Sequence, residues 1–270
     1  MCSVSSFTAV VLLACLAGCA TLPESPLVNS SQESGADKSE QLVQLARDIE
    51  ANGGGETALA LYREAVALAG RTPAAYVRLG DAYLRGKKLS AAVEAYRAAL
   101  AKDPDDAEAL LGLGTAFARQ GAVAKGLAAL AKAAPLVNTG AAYNRLGVAQ
   151  TIAGQFSEAL ATFEKGRAVE PGDLDIATNL ALAAALDGQS EKAAALTTEI
   201  ARSPAVQPVH RRNLVIVLGI IGRSAGDARA VAPPELPEAE FEELFSRAAS
   251  IRRIADPKGR ARALGTTMQG

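Results

Sequence analysis

The 270-residue chain has no tryptophan, one histidine and three cysteines, and aromatic residues make up only 4% of it. The cysteines stand at positions 2, 15 and 19, so nothing after residue 19 offers a thiol. A disulfide framework, a thiol nucleophile and a cysteine-based metal cluster are excluded from everything downstream. His210 has no second histidine and no cysteine to work with. It leaves a Cys/His or Ser/His/Asp site short of parts and, beside Arg211 and Arg212, reads as a surface or capping residue. Acids are scattered along the chain, and none recur at metal-ligand spacing. No catalytic residue, metal, cofactor or small-molecule substrate is therefore expected. Neither charge dominates: 28 Lys and Arg face 29 Asp and Glu, a net charge of −1. That balance gives no basis for nucleic-acid binding. The apolar stretch 7–17 has 11 residues, against the ~20 a spanning helix needs.

The end of that stretch runs into the tetrad Leu16-Ala17-Gly18-Cys19. An apolar run, small residues and then cysteine resemble the lipobox of bacterial lipoprotein signal peptides. The resemblance implies that residues 1–18 are removed and that Cys19 becomes an acylated N-terminus. Residues 1–19 carry no acid and no Lys or Arg, whereas a secretory n-region is usually positive. Burial of each methylene contributes ~0.8 kcal/mol, so the several acyl chains of such a lipoprotein anchor it stably. Ala20, rather than Asp, resembles outer-membrane-sorted lipoproteins of Gram-negative bacteria. The expected location is thus the periplasmic face of the outer membrane. Residues 19–38 are rich in Ser, Pro and acid and lack apolar periodicity, which predicts a flexible tether.

Beyond the tether, small and apolar residues recur at about 34 residues. One unit reads Leu79-Gly80, Tyr83, Ala92, Tyr96, Ala99 and Pro104. The next read Leu113-Gly114, Phe117, Gly126, Leu130 and Ala133, then Leu146-Gly147, Ala159, Phe163, Gly166 and Pro171. Weaker units begin at Leu45-Ala46, Leu180-Ala181 and Leu214-Val215. This spacing is that of the tetratricopeptide repeat (TPR). Glycine or alanine is needed where the paired helices cross closely, and the large residues fill the gaps between neighbours. Gly86, Gly121, Gly154, Gly188 and Gly222 fall where a first helix should end left-handed. The fold class predicted is all-α: a TPR superhelical solenoid of five to six repeats over 39–232, with a C-terminal capping helix. Gly112-Leu113-Gly114 superficially resembles part of a nucleotide fingerprint, but no strand precedes it and Phe117 stands where the third glycine belongs.

In TPR arrays the first helix of each repeat lines the concave face. In this register the inward positions include Arg85 and Arg119 early, with Arg47, Glu50, Asp81 and Thr115. Later they become Val148, Ile152, Leu182, Leu186, Ile216 and Ile220. The groove turns from charged to apolar, which suits an amphipathic helix from a protein partner. After Pro233, Pro234 and Pro237, residues 237–254 predict a helix with acids first and Arg252 and Arg253 last. Phe241, Leu244, Phe245, Ala248 and Ile251 share one face, able to cap the array or fill its groove. Residues 255–270 are predicted to be a disordered tail.

Lipobox, polar leash, repeats and a helix after a proline-rich break resemble the TadD family, TPR lipoproteins of the tight-adherence (Tad/Flp) pilus machinery. The likeness includes Asn213-Leu214 to Gly222-Arg223, which resembles that family's closing repeat. It implies a pilotin-like assembly factor acting on an outer-membrane secretin. A general envelope adaptor that docks peptidoglycan enzymes is the alternative. Cys19 is the lipidation site under either reading.

Overall fold

The computed structural model describes residues 35–69 and 71–269. Among them there are fourteen α-helices and no strand. The lipobox, Cys19 and most of the expected tether lie outside the described residues. No described helix is long and apolar enough to cross a membrane.

Five helical hairpins follow one another: α1 (Gly35–Ala51) with α2 (Gly55–Leu68), α3 (Pro73–Arg85) with α4 (Leu89–Leu100), α5 (Ala107–Arg119) with α6 (Val123–Val137), α7 (Gly140–Ile152) with α8 (Phe156–Val169), and α9 (Leu174–Leu186) with α10 (Ser190–Ala201). A sixth first helix, α11 (Pro208–Ile221), is followed by the short α12 (Ala225–Val231). Each helix packs on its hairpin partner and each hairpin on the next. The order is that of a TPR solenoid. The array begins four residues before the expected boundary, because Ser39, Val43 and Ala46 bury against α2 and the Ser39 hydroxyl donates to the Ala65 carbonyl at 2.9 Å. Residues 35–38 are therefore the first turn of α1 and not tether.

Local chemistry repeats with the helices. Thr72, Asp106, Thr139 and Asp173 each sit just before a first helix and accept a backbone N–H with the side chain. Such caps contribute ~1 kcal/mol each. The second helices α2, α4, α6, α8 and α10 have no side-chain cap. They start only a few residues after their partners end, from a tight turn whose backbone is left-handed at Gly53, Lys87, Gly121, Gly154 and Gly188. The expected glycine at 86 is one residue early: Gly86 has φ −72°, and Lys87 takes the strained position at φ 56°. A side chain there costs roughly 1–2 kcal/mol.

The close crossings are set by one ring at a time. Tyr96 of α4 is fully buried between Gly80 of α3 and Gly112 of α5. A Cβ on Gly80 would lie 2.6 Å from that ring, and one on Gly112 only 2.2 Å. Phe163 of α8 lies against Gly147 in the same way, with 2.5 Å to a Cβ. Gly114 packs against the backbone of α6, so its role is packing and not phosphate binding.

At the far end the chain departs from the repeat. Helix α13 (Glu238–Ile251) packs along α11, where Ala248 would lie 2.7 Å from a Cβ on Gly219. Phe241, Leu244, Ala248 and Ile251 are buried there, as their spacing predicts. Residues 255–270 are not the expected disordered tail: Pro257–Gln269 form a further helix, α14, lying on α7, α9 and α13. Asp256 starts it by accepting the Gly259 N–H at 2.7 Å, and Pro257 supplies a preset first residue. Burial of Ala261 and Leu264 holds it.

The Tyr96 crossing gives a direct test. Overpacking costs about 1–3 kcal/mol, more than the ~0.8–1.0 kcal/mol gained by removing a mid-helix glycine. Gly112→Ala is expected to destabilise the protein by roughly 1 kcal/mol net, seen as a lower urea midpoint by circular dichroism. An unchanged or raised midpoint would mean that the ring moves aside freely.

Candidate functional site

The first helices α1, α3, α5, α7, α9 and α11 are the ones that carry the expected partner residues, and their character changes along the array. In the early half several charges pair across hairpins. The Arg85 guanidinium donates to both Glu50 oxygens, at 2.7 and 2.8 Å, a fork-to-fork pairing across successive hairpins. Tyr62 completes the group: its hydroxyl donates to Glu50 at 3.3 Å, and Arg85 sits 6.0 Å above its ring. The hydrogen bond that Arg85 donates holds the Glu50 carboxyl below its ordinary range and raises Arg85 above its own. Burial raises the Tyr62 phenol.

The neighbouring polar residues are committed in the same manner. Tyr96 donates to Asp81 at 2.6 Å, and burial, reinforced by that carboxylate, pushes the phenol far above its usual value. Thr115 is buried and donates to the Leu111 carbonyl at 2.7 Å. Arg119 reaches back to the Leu84 carbonyl in the last turn of α3, at 3.4 Å, where the helix dipole favours a cation. Arg85 and Arg119 therefore join hairpins together while both stay exposed on the surface.

The apolar half divides differently from expectation. Leu182, Leu186, Ile216 and Ile220 are at most 4% exposed. They belong to one continuous core with Phe241, Leu244 and Ile251 of α13 and with Ala261 and Leu264 of α14. Leu186, Ile216 and Ile220 are enclosed by that core, and Leu186→Asp would break the core before it tested binding. Val148 and Ile152 on α7 remain open, at 36% and 49% exposure. Beside them lies a cavity of about 290 Å³, lined also by Thr151, Phe163, Asn179 and Leu182, and on its other side by Ala261, Leu264 and Gly265 of α14. Asn179 is fixed by donating to Asn144 at 2.9 Å.

The self-filling expected of residues 237–254 is thus split between two helices: α13 closes the end on α11, while α14 covers the groove over α7 and α9. Sequence reasoning missed α14, although Asp256-Pro257 is a helix-start signal. His210 is buried at the start of α11. Its Nδ1 accepts the Gln207 N–H at 3.0 Å and its Nε2 faces Asp175 Oδ1 at 2.9 Å. It caps its own helix and pins it to the start of α9. Among the described residues no group of three or more His, Cys, Asp or Glu side chains is placed to hold a metal ion.

Comparison with known proteins agrees with this architecture. Residues 80–121 match the family described as TPR repeat, and residues 152–206 match tetratricopeptide repeat. No curated protein matches the chain. Among solved structures, PilW, a widely conserved type IV pilus biogenesis factor, is 23% identical with a TM-score of 0.64; the likeness covers 72% of this chain and 90% of PilW. PilF of Pseudomonas aeruginosa is 16% identical with a TM-score of 0.60, over 86% of this chain and 98% of PilF. A tetratricopeptide repeat protein of Parabacteroides merdae is 15% identical at a TM-score of 0.61, over 86% and 93% of the two chains. At these identities the likeness is one of fold. The chain carries tetratricopeptide repeats, and such repeats generally serve as protein-interaction scaffolds and not as catalysts.

The Glu50–Arg85 pair predicts a pH signature. The folded Glu50 carboxyl titrates below its unfolded value, so its stabilisation is fully present above the unfolded value and is lost as pH falls through the folded one. Both side chains are partly exposed, which limits the contribution to ~1 kcal/mol or less. Glu50→Gln is expected to lower stability by that order at neutral pH, and the gap to wild type should narrow as pH falls below the ordinary carboxylate range and through the lowered folded value. A gap independent of pH in urea titrations would assign the effect to something other than the ion pair.

Proposed function

We propose that this protein is an outer-membrane-anchored TPR scaffold that helps to assemble a pilus or secretion system, acting on a secretin in the manner of a pilotin. The observation that carries the reading is the apolar surface of Val148 and Ile152 beside an unfilled cavity on the first-helix face. Single exposed apolar residues need no explanation. Two of them one helical turn apart, opening onto an apolar hollow, make a place for a partner's side chains. Elsewhere on that face Arg85 and Arg119 are bonded to neighbouring hairpins, and the apolar opening at α7 and α9 is where the reading places recognition.

The membrane anchor is proposed from the sequence, through Leu16-Ala17-Gly18-Cys19. The fold likeness to PilW, described as a type IV pilus biogenesis factor, supports a pilus role without assigning the partner. A scaffold held at a membrane by acyl chains searches two dimensions for an equally membrane-bound target. This raises encounter without any added contact.

Two outcomes test the proposal. Cys19→Ala is expected to abolish palmitate labelling and move the protein from the outer-membrane to the soluble periplasmic fraction. A labelled, membrane-retained variant would remove the anchor from the account. Val148→Asp with Ile152→Asp changes exposed positions only, so helicity should persist while secretin multimers in the outer membrane fall severalfold on immunoblots. Normal multimers, with peptidoglycan hydrolases and no secretin in a pull-down, would favour the envelope adaptor.

A further inference from the structure

The groove over α7 and α9 already holds a helix, and the way α14 sits there describes what else would fit. Taking that groove as the partner surface proposed above, we infer that it is a receptor for an amphipathic helix and that α14 is the chain's own, displaceable occupant. The partner helix carries large apolar residues where α14 has Ala261 and Gly265.

Placement and packing of α14 disagree in quality, and that difference points to displacement. Its position is definite. Arg260 donates to the Leu186 carbonyl at the end of α9 at 2.7 Å and to the Ile254 carbonyl at 2.6 Å. The backbone of Pro257 and Lys258 runs so close to the α7–α8 turn that a Cβ on Gly154 would lie 3.0 Å from it. Over residues 257–265 its apolar contact is poor by comparison. Of residues 257–265 only Ala261 and Leu264 are buried. Between them and Val148, Ile152 and Leu182 remains the cavity of about 290 Å³. Protein interiors are packed to crystal density, and atoms facing a void lose their dispersion partners.

Helix-in-groove recognition uses anchors at i, i+3 and i+4. In α14 those anchors are Ala261, Leu264 and Gly265, all lining the cavity. Only Leu264 among them has volume to fill it. A helix with Leu or Phe at all three places would occupy the hollow and cover Val148 and Ile152. The short connection 252–256 gives α14 a high effective concentration. A weakly matched external helix is therefore kept out and a well-matched one admitted. The tail thus sets a threshold for partner choice.

The experiment uses the full chain and a fluorescein-labelled synthetic peptide of residues 255–270, read by anisotropy, with a second peptide carrying Ala261→Leu and Gly265→Leu. Leu264→Asp in the protein should unseat α14 and bind the first peptide at least tenfold more tightly than wild type does. The leucine peptide should bind both proteins more tightly than the first, and Ile152→Asp added to Leu264→Asp should cancel binding. If Leu264→Asp loses helicity by circular dichroism, Arg260→Ala replaces it, since it removes two carbonyl bonds without placing a charge in the groove. Equal binding by wild type and the unseated variants overturns the inference, as does no binding by a variant of native helicity. A variant that dimerises in light scattering and ignores both peptides makes the occupant a second copy, which also overturns it. Peptide binding as expected, with secretin multimers unaffected by Val148→Asp and Ile152→Asp in cells, would sink the pilus reading alone.

Discussion

Every hairpin in this protein makes an apolar face that it cannot bury by itself. That constraint explains the stacking, the close crossings and the two helices that break the pattern. Within the array the face is covered by the next hairpin, and Gly80, Gly112 and Gly147 let a buried ring serve two helices at once. At the last repeat no further hairpin arrives. The exposed side of α11 is covered by α13, and the neighbouring first-helix face by α14. The C-terminal sequence is therefore continuous with the core in energetic terms, although it is no longer a repeat.

The same constraint separates the two halves of the first-helix face. Where first helices carry charge, cross-hairpin pairs such as Glu50–Arg85 satisfy it internally. Where they carry Leu, Ile and Ala, as in α9 and α11, neighbours close over them almost completely. Helix α7 lies between these regimes. The next first helix, α9, is buried from Leu180 to Leu186, whereas among the described residues α14 covers the face of α7 and leaves Val148 and Ile152 open. The candidate site is thus a stretch of the first-helix face where neither charge pairing nor core packing is complete.

Much of the fold was legible in the sequence because the repeat imposes one residue type for one steric reason at each position. Glycine beside Tyr96, alanine at helix crossings and prolines between hairpins all survive as period-34 signals. The site was less legible, because periodicity places a residue on a face but does not say what covers that face. Leu186 and Ile152 look alike in register, yet one is enclosed and the other half open. Their difference is made by a tail whose basic, small-residue composition reads as solvated. Only Asp256-Pro257 marked it as a helix. Lys87 shows a finer failure: turn geometry shifts the left-handed position one residue past the glycine that appeared to supply it.

The core is unevenly partitioned. Residues 43–95 contribute one small buried cluster, and two more lie between residues 84 and 149. From Phe156 onward a single large cluster runs through α13 and α14. Repeat arrays share stability only between neighbours, so local opening follows local core size. The leading hairpins form the compliant end of the molecule and the closing ones a solid block. Tension applied from the N-terminal side would be absorbed by stepwise loosening of α1 to α4, and the block from α8 onward would keep its form under load.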